Sequence, residues 1–208
     1  MNNEPGSLLL ILTLMFGVAT GAGQDQKSLR VEQRDFSMEQ EIIAKPVDLP
    51  ENALRSLTND GDVSSCLADR NLPPAQPPRM WFAGSEIHLA GPDESDLIVL
   101  PAFLKALEPM HPPPNSCFIG AYTSRFWVLR TSGKDYELVL AVDAHDLRVL
   151  RTKWKGYAEI ETSISTLHGR TTTIYRFDGK SYKLYKESND SISEFLNLSQ
   201  LKTPSVDG

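Results

Sequence analysis

The four residues Asp143-Ala144-His145-Asp146 come closest to a metal-binding or acid–base motif in this sequence. On an extended strand Asp143 and His145 share a face, and a metal ion accepts both a carboxylate and an imidazole as ligands. The same residues also fit a turn in which Asp143 or Asp146 accepts hydrogen bonds from local backbone N–H groups. Because no third ligand is apparent at a distance, the sequence favours the turn.

The other titratable residues show no catalytic spacing. His88, His111 and His168 have neither an H-x-x-x-H partner nor a neighbouring cysteine. Glu159 and Glu161 share one face of a strand, whereas glycoside hydrolysis needs two carboxyl groups facing each other across a cleft. No nucleophile elbow, phosphate-binding glycine loop or dinucleotide fingerprint is present. We therefore predict no catalytic residues and no cofactor.

Aromatic residues with interleaved cations are the remaining candidates for a functional surface, since such mixtures suit sugar faces and protein hot spots. Aromatic residues also favour strands, so most of them fit a β-sheet core equally well. Trp154 is the exception, because Lys153 and Lys155 flank it at the expected end of a strand. We predict a binding face that includes Trp154, Lys155 and Tyr157. The complete set is Trp81, Tyr122, Phe126, Trp127, Trp154 and Tyr157, with Arg125 and Lys155 nearby.

The first 23 residues are typical of a secretory signal. Residues 8–19 form an apolar run that is too short to span a bilayer, and small residues follow it at positions 20–23. The leading segment lacks Lys and Arg, so an uncleaved membrane anchor is the alternative. Cleavage would remove only Glu4 among charged residues and change the net charge from −6 to −5. We expect a secreted or periplasmic protein with no stable membrane span after cleavage.

The net charge and the cysteine content further restrict the class of protein. A mildly acidic chain without a Lys/Arg cluster lacks the electrostatic footprint of a nucleic-acid binder. Its only cysteines, Cys66 and Cys117, form a disulfide by expectation, since an exported protein reaches an oxidising compartment. Two free buried thiols are the alternative. The length of 208 residues allows one domain of normal core size.

The order of turns and apolar segments predicts a mainly β domain over residues 47–186. A signal peptide (1–23) and a flexible leader (24–46) precede it, and a C-terminal helix and tail (187–208) follow. A short helix opens the domain near Leu49 and ends at Asn59-Asp60-Gly61. Spacing of about ten residues between turns favours antiparallel pairing in a sandwich, an open barrel or a partial propeller. The predicted strands are 80–83, 85–89, 96–100, 125–131, 136–142, 147–152, 158–163, 172–177 and 180–185.

The last two strands form the clearest hairpin. Asp178-Gly179 separates two segments of alternating apolar and polar residues. Because this dipeptide favours positive φ at both central positions, it predicts a two-residue type I′ turn.

Several short sequence motifs, taken in their order along the chain, resemble those of a group of exported bacterial proteins. These proteins have uncharacterised function and FG-GAP- or VCBS-like β segments. The motifs include Trp81-Phe82, the strand Asp96–Val99, Cys117–Ala121, Gly156–Ile160 and Tyr175–Gly179. The likeness covers about residues 49–185. It implies a β fold and, within each segment, a calcium-type loop running into an Asp-led strand.

The calcium loop implied by this resemblance is degenerate here. Its ligand positions correspond to His88, Ala90 and Pro92, and only Asp96 and the strand after it match the pattern. Ala90 and Pro92 offer no side-chain oxygen, which a hard cation needs as a ligand. We therefore predict no metal site. A weak cation site formed by Asp93, Glu94 and Asp96 is the alternative to a solvated acidic turn.

The sequence as a whole favours a non-catalytic binding or structural module of the cell envelope that contacts protein or glycan. A secreted hydrolase with an unrecognised site and an envelope enzyme inhibitor are the alternatives. A convergent acid, base and nucleophile would favour the hydrolase, and a rigid protruding loop between Pro109 and Cys117 would favour the inhibitor.

Overall fold

A computed structural model describes residues 34–38, 43, 46–102 and 117–191. These residues form ten strands, two helices and one short 3-10 turn. In chain order the elements are β1 (Asp35–Ser37), β2 (Pro46–Val47), α1 (Glu51–Leu57), α2 (Gly61–Asp69), β3 (Phe82–Ile87), β4 (Asp96–Pro101), β5 (Ser124–Ser132), β6 (Asp135–Ala144), β7 (Asp146–Trp154), β8 (Tyr157–Thr166), β9 (Gly169–Phe177) and β10 (Tyr182–Ser191). The predicted mainly β fold is confirmed.

The strands build two antiparallel five-stranded sheets. The central sheet has the order β2-β3-β4-β5-β6, and the outer sheet has the order β1-β7-β8-β9-β10. Only His145 separates β6 from β7, so the chain passes from one sheet to the other at this residue. Of the three predicted arrangements, two sheets packed on a shared core correspond to the sandwich.

The central sheet is buried on both faces, which explains the continuous apolar run of β4. Ile98 and Leu100 point into the core shared with the outer sheet. Leu97 and Val99 point the opposite way and pack with the two helices. A strand buried on both faces has no polar alternation. Residues 46–102 and 117–191 therefore form three layers with β1, and the central sheet lies between the helices and the outer sheet.

Asp60 joins the helical layer to the central sheet. Its carboxylate accepts hydrogen bonds from the backbone N–H of Asp62, from Arg125 and from Trp127 Nε1. Asp60 is 4 % exposed, and the ring of Trp127 is fully buried. The sequence predicts that Asn59-Asp60-Gly61 ends α1. In the structure Asp60 has a second role, because it also caps the start of α2.

The disulfide between Cys66 and Cys117 is present, with the Cα atoms 6.0 Å apart. Cys66 lies in α2 and Cys117 precedes Phe118, which packs in the same helix-side core. The prediction of this bridge is confirmed. A bond closing a loop of 51 residues removes conformational freedom from the unfolded chain equivalent to about 4 kcal/mol.

Two boundaries of the predicted organisation need correction. Asp35–Ser37, inside the range predicted to be a leader, pairs with β7 because Phe36 lies opposite Leu147 and is buried in the shared core. Residues 187–191, predicted to start the C-terminal segment, continue β10 because they pair with β9 back to Gly169. The remaining parts of the predicted signal, leader and C-terminal helix lie outside the described residues.

The hairpin turns also differ from the sequence expectation. The link between β9 and β10 has four residues, since Phe177 pairs with Tyr182 and the backbone N–H of Asp178 donates to Ser181 O. The Asp178 carboxylate accepts from the backbone N–H groups of Lys180 and Ser181, and this bonding selects the longer turn. The predicted type I′ turn at Asp178-Gly179 is therefore wrong.

Within the described part of the chain, no helix is both long enough and apolar enough to cross a membrane.

We expect Asp60→Ala to lower the free energy of unfolding by about 3 kcal/mol or more, because it leaves buried polar partners without their acceptor. Urea unfolding followed by tryptophan fluorescence measures this. Asp62→Ala is the matched control, since the Asp62 side chain is 58 % exposed and contacts the same Arg125. Equal effects of the two substitutions would contradict the role given to Asp60.

Candidate functional site

The predicted binding-face residues lie at the tight turn between β7 and β8. Trp154 pairs with Tyr157 across a two-residue connection formed by Lys155 and Gly156. Both connecting residues have positive φ, 49° at Lys155 and 88° at Gly156, as a type I′ turn requires. The turn expected at Asp178-Gly179 thus occurs here, and it places Trp154 at the end of a paired ladder.

Trp154 belongs to a stack of three side chains on the face of the outer sheet that points away from the core. The Arg176 guanidinium lies 4.5 Å from the centre of the Trp154 ring and 3.2 Å from the centre of the Tyr185 ring. Trp154 is 41 % exposed and Tyr185 is 54 % exposed. A guanidinium between two aromatic faces holds both rings in place by cation–π attraction. Half-exposed rings that are already ordered are suited to binding.

Glu159 holds the Arg176 guanidinium in position. Its carboxylate accepts a 2.5 Å hydrogen bond from Arg176 Nε, and its side chain is only 10 % exposed. Hydrogen bonds from Thr152 and from Arg176 lower the pKa of Glu159. The hydrogen bond with Glu159 also raises the pKa of Arg176. The pair therefore stays ionised at neutral pH, and the stack keeps its central charge.

Tyr157 does not share this surface with Trp154. Its ring lies 4.4 Å from that of Phe177, and it packs against the core between the sheets. Lys155 does remain beside Trp154, with Nζ 6.0 Å from the ring centre. The structure thus brings Trp154 and Lys155 together with Arg176, Tyr185 and Glu159, and it places Tyr157 at the rim of the core.

Sequence reasoning missed Arg176, Tyr185 and Glu159 as neighbours of Trp154. The alternation in the last hairpin shows that Arg176 leaves the core, but the pairing of β8 with β9 is needed to bring it to Glu159. Tyr185 lies on the outer face of β10, beside a shift of the register between Leu184 and Lys186. No sequence signal marks that bulge.

Away from the stack, ion pairs cover the same face of the outer sheet. Arg148 contacts both Asp35 and Glu161, which lie on the strands to either side of it. A shallow groove of about 600 Å³ lies over this region. Its lining consists of Asp35, Phe36, Ser37, Asp146, Leu147, Arg148, Glu161, Thr162, Ser163 and Arg170.

Asp146 is the centre of the polar contacts in this groove. Its carboxylate accepts from Ser163 Oγ at 3.0 Å and lies 3.3 Å from His145 Nδ1. Burial by itself would raise the pKa of Asp146, but hydrogen bonds from Ser37, Ser163 and His145 lower it overall. The carboxylate stands between the hydroxyl and the imidazole. In a catalytic triad the imidazole stands between the other two groups, so this order does not activate Ser163.

The other metal candidates have structural contacts in place of a ligand cage. Asp143 pairs with Arg125 at 3.0 Å, away from His145. Asp96 is fully buried and accepts from the backbone N–H groups of Leu89 and Thr131, which ties β4 to β5 and to the loop after β3. Burial raises the pKa of Asp96 despite these bonds. Among the described residues, no three His, Cys, Asp or Glu side chains come close enough to hold a metal ion.

His88, Ala90 and Pro92 complete the predicted degenerate loop between β3 and β4. His88 Nδ1 lies 2.6 Å from the Glu94 carbonyl oxygen. The Ala90 carbonyl oxygen accepts a hydrogen bond from Lys153 Nζ. The Lys153 ammonium group therefore supplies the positive charge that this carbonyl oxygen contacts.

The remaining aromatic candidates divide between core and surface. Trp81, Phe126 and Trp127 are buried, and Tyr122 is 59 % exposed at a site remote in the sequence from Trp154. No family model matches the chain, and neither the curated proteins nor the solved structures contain a significant match. The assignment of function therefore depends on the geometry of the site.

Low pH should weaken the contacts among Trp154, Arg176 and Tyr185. Because the pKa of Glu159 is lowered from its ordinary value of 4.5, its ionised form contributes stability that is complete above that pH and is lost below it. Of the three tryptophans, only Trp154 is exposed, so quenching of fluorescence by acrylamide reports on its surroundings. We expect quenching to increase as the pH falls from about 5 to 3.

Glu159→Gln is the test of this assignment. The variant should show increased quenching already at pH 7 and a flatter dependence on pH, because it has no carboxylate to titrate. An unchanged pH profile in the variant would contradict the role of Glu159.

Calcium should leave the melting temperature unchanged. A ligand that binds only the native state adds about 2.7 kcal/mol of stability at 100 times its dissociation constant. Thermal unfolding with and without millimolar calcium measures this. A rise of several degrees that disappears in Asp93→Ala would contradict the prediction, and Asp93 is suitable because it is an exposed acidic residue of the same loop.

Proposed function

We propose that this protein is an exported, non-catalytic binding module of the cell envelope, and that it binds a protein through the outer face of the outer sheet. The observation that carries the proposal is the stack of Trp154, Arg176 and Tyr185. Trp, Tyr and Arg are the three residues most enriched at binding hot spots. Here the two rings are half-exposed, and the Arg176 guanidinium between them orders both. Their ordering before binding reduces the entropy that association costs.

The support for a rigid platform comes from the layers beneath the stack. Leu147, Val149 and Ile160 anchor β7 and β8 in the shared core. The Cys66–Cys117 disulfide agrees with export to an oxidising compartment. The sequence resemblance to exported bacterial proteins points to the same compartment.

The two alternative functions receive less support from the geometry. A hydrolase would need a nucleophile activated by a base that takes up its proton. The Ser163 hydroxyl donates to Asp146, but the lowered pKa of that carboxylate makes it a weak base, and Ser163 Oγ also accepts a hydrogen bond from Arg170. The loop that would favour an inhibitor, between Pro109 and Cys117, lies outside the described residues except for Cys117 itself. A glycan partner is a further candidate for the Trp154 surface, and a capture experiment distinguishes it from a protein.

Trp154→Ala should weaken partner binding by about 2 kcal/mol or more, as loss of a hot-spot aromatic does. The wild-type protein, immobilised on beads, is incubated with an envelope extract, and retained proteins are measured by quantitative mass spectrometry. Tyr122→Ala is the control, because Tyr122 is an exposed aromatic residue outside the stack. We expect it to retain the same partner as the wild type.

Urea unfolding of both variants checks that the fold is intact. The proposal would be wrong if Trp154→Ala retains every partner of the wild type, or if its loss of binding comes with loss of folding. Retention of polysaccharide in place of protein would assign the surface to a glycan.

A further inference from the structure

The outer face around Trp154 collects positive charge, although the whole chain has a net charge of −6. Lys155 lies beside the Trp154 ring, and Lys183 lies directly opposite Arg176 in the ladder of β9 and β10. Lys186 follows on the same strand, opposite Ile174. We call these three lysines, together with Trp154, Arg176 and Tyr185, the Trp154 patch.

The bulge in β10 determines which charges belong to the patch. In a regular strand Lys183, Tyr185 and Glu187 would share one face. The register shift between Leu184 and Lys186 turns Lys186 outward, opposite Ile174, and turns Glu187 to the other face, opposite Thr173. One irregularity thus exchanges a carboxylate for an ammonium group on the outer face. Bulges often redirect side chains next to binding sites.

The carboxylates near the patch are already occupied. Glu159 is bonded to Arg176, and Glu161 contacts Arg148. Asp178, at the tip of the hairpin, accepts two backbone hydrogen bonds that lower its pKa, and the charge of nearby Lys183 lowers it further. Asp178 therefore offsets the charge of Lys183. The exposed ammonium groups of Lys155 and Lys186 add positive charge beside the two half-exposed rings.

We infer that the partner of the Trp154 patch is an acidic protein segment, one that carries Asp or Glu residues next to an aromatic or large apolar residue. The inference rests on the proposed function and specifies its partner class. Charge complementarity selects the acidic residues, since like charges placed opposite each other would oppose binding. The exposed edges of the Trp154 and Tyr185 rings select the apolar residue, because hot spots tend to pair with hot spots.

A peptide-display selection tests the inference while the natural partner is still unidentified. The oxidised protein is the bait for a phage library of random 12-residue peptides, after depletion of the library on Trp154→Ala. We expect the selected peptides to be enriched in Asp and Glu with Phe, Tyr, Trp or Leu. Enrichment of uncharged or basic peptides, or of none that depend on Trp154, would overturn the inference.

Charge reversal provides the second measurement on a selected peptide. Lys186→Glu should weaken its dissociation constant at least fivefold in 50 mM salt, and the difference should shrink in 300 mM salt as screening increases. Lys134→Glu is the matched control, because it changes the net charge equally at the exposed turn between β5 and β6. Equal effects of the two reversals would overturn the inference.

Other occupants of the patch give different results. Binding of heparin fragments that requires Trp154, without any selected peptide, would point to an anionic polysaccharide and overturn the protein class. A dimer in sedimentation that Trp154→Ala dissolves would point to a second copy of the chain and overturn the acidic partner. A captured envelope protein that depends on Trp154 but not on Lys186 would leave the proposed function standing and remove only the acidic partner.

Discussion

The contact on which the rest of the structure depends is the buried carboxylate of Asp60. It receives hydrogen bonds from the start of α2, from the Arg125 guanidinium and from the Trp127 indole. Because a buried charge is costly unless it is fully bonded, these partners must come together in one arrangement. That arrangement fixes the helices on one face of the central sheet. The other face of that sheet is then available to the outer sheet.

This layering decides where a partner can bind. The central sheet is covered on both sides, so its apolar residues serve packing. The outer sheet has one face in the core and one face exposed, and ion pairs such as Arg148 with Glu161 cover much of the exposed face. The Trp154 patch is the part of that face where half-exposed aromatic rings and exposed lysines lie together. A rigid, wide and mostly paired surface with an ordered aromatic cluster is suited to recognition.

Much of the fold could be predicted from sequence because the signals are local. The β class, the strand segments from 96 to 185 and the helix α1 follow from alternation and turn residues. The Cys66–Cys117 bridge follows from an even cysteine count in a chain that the sequence predicts to be exported. The failures have two origins. At the last hairpin the cause is local, because Asp178 bonds two backbone N–H groups and lengthens the turn. At β1 the cause is tertiary, because Phe36 pairs opposite Leu147 and is buried in the shared core.

Of the residues in the candidate site, Trp154 is the one whose place there could be predicted from the sequence with its neighbour Lys155. Trp154 stands out because lysines flank it in the sequence, but its neighbours come from other strands. Glu159 and Arg176 meet through the register of β8 with β9, and Tyr185 joins them through the pairing of β10 with β9. Registers and bulges depend on tertiary packing, so a single sequence does not encode them in a readable form.

We propose that the outer face of the outer sheet is the binding face. A photo-reactive phenylalanine analogue at Ile174, on that face opposite both Glu161 and Lys186, tests it most directly in living cells. The same analogue at Met80, which is 63 % exposed outside the outer sheet, is the control. We expect a cross-linked partner protein from position 174 and none from position 80. A partner captured from position 80 but not from position 174 would contradict it.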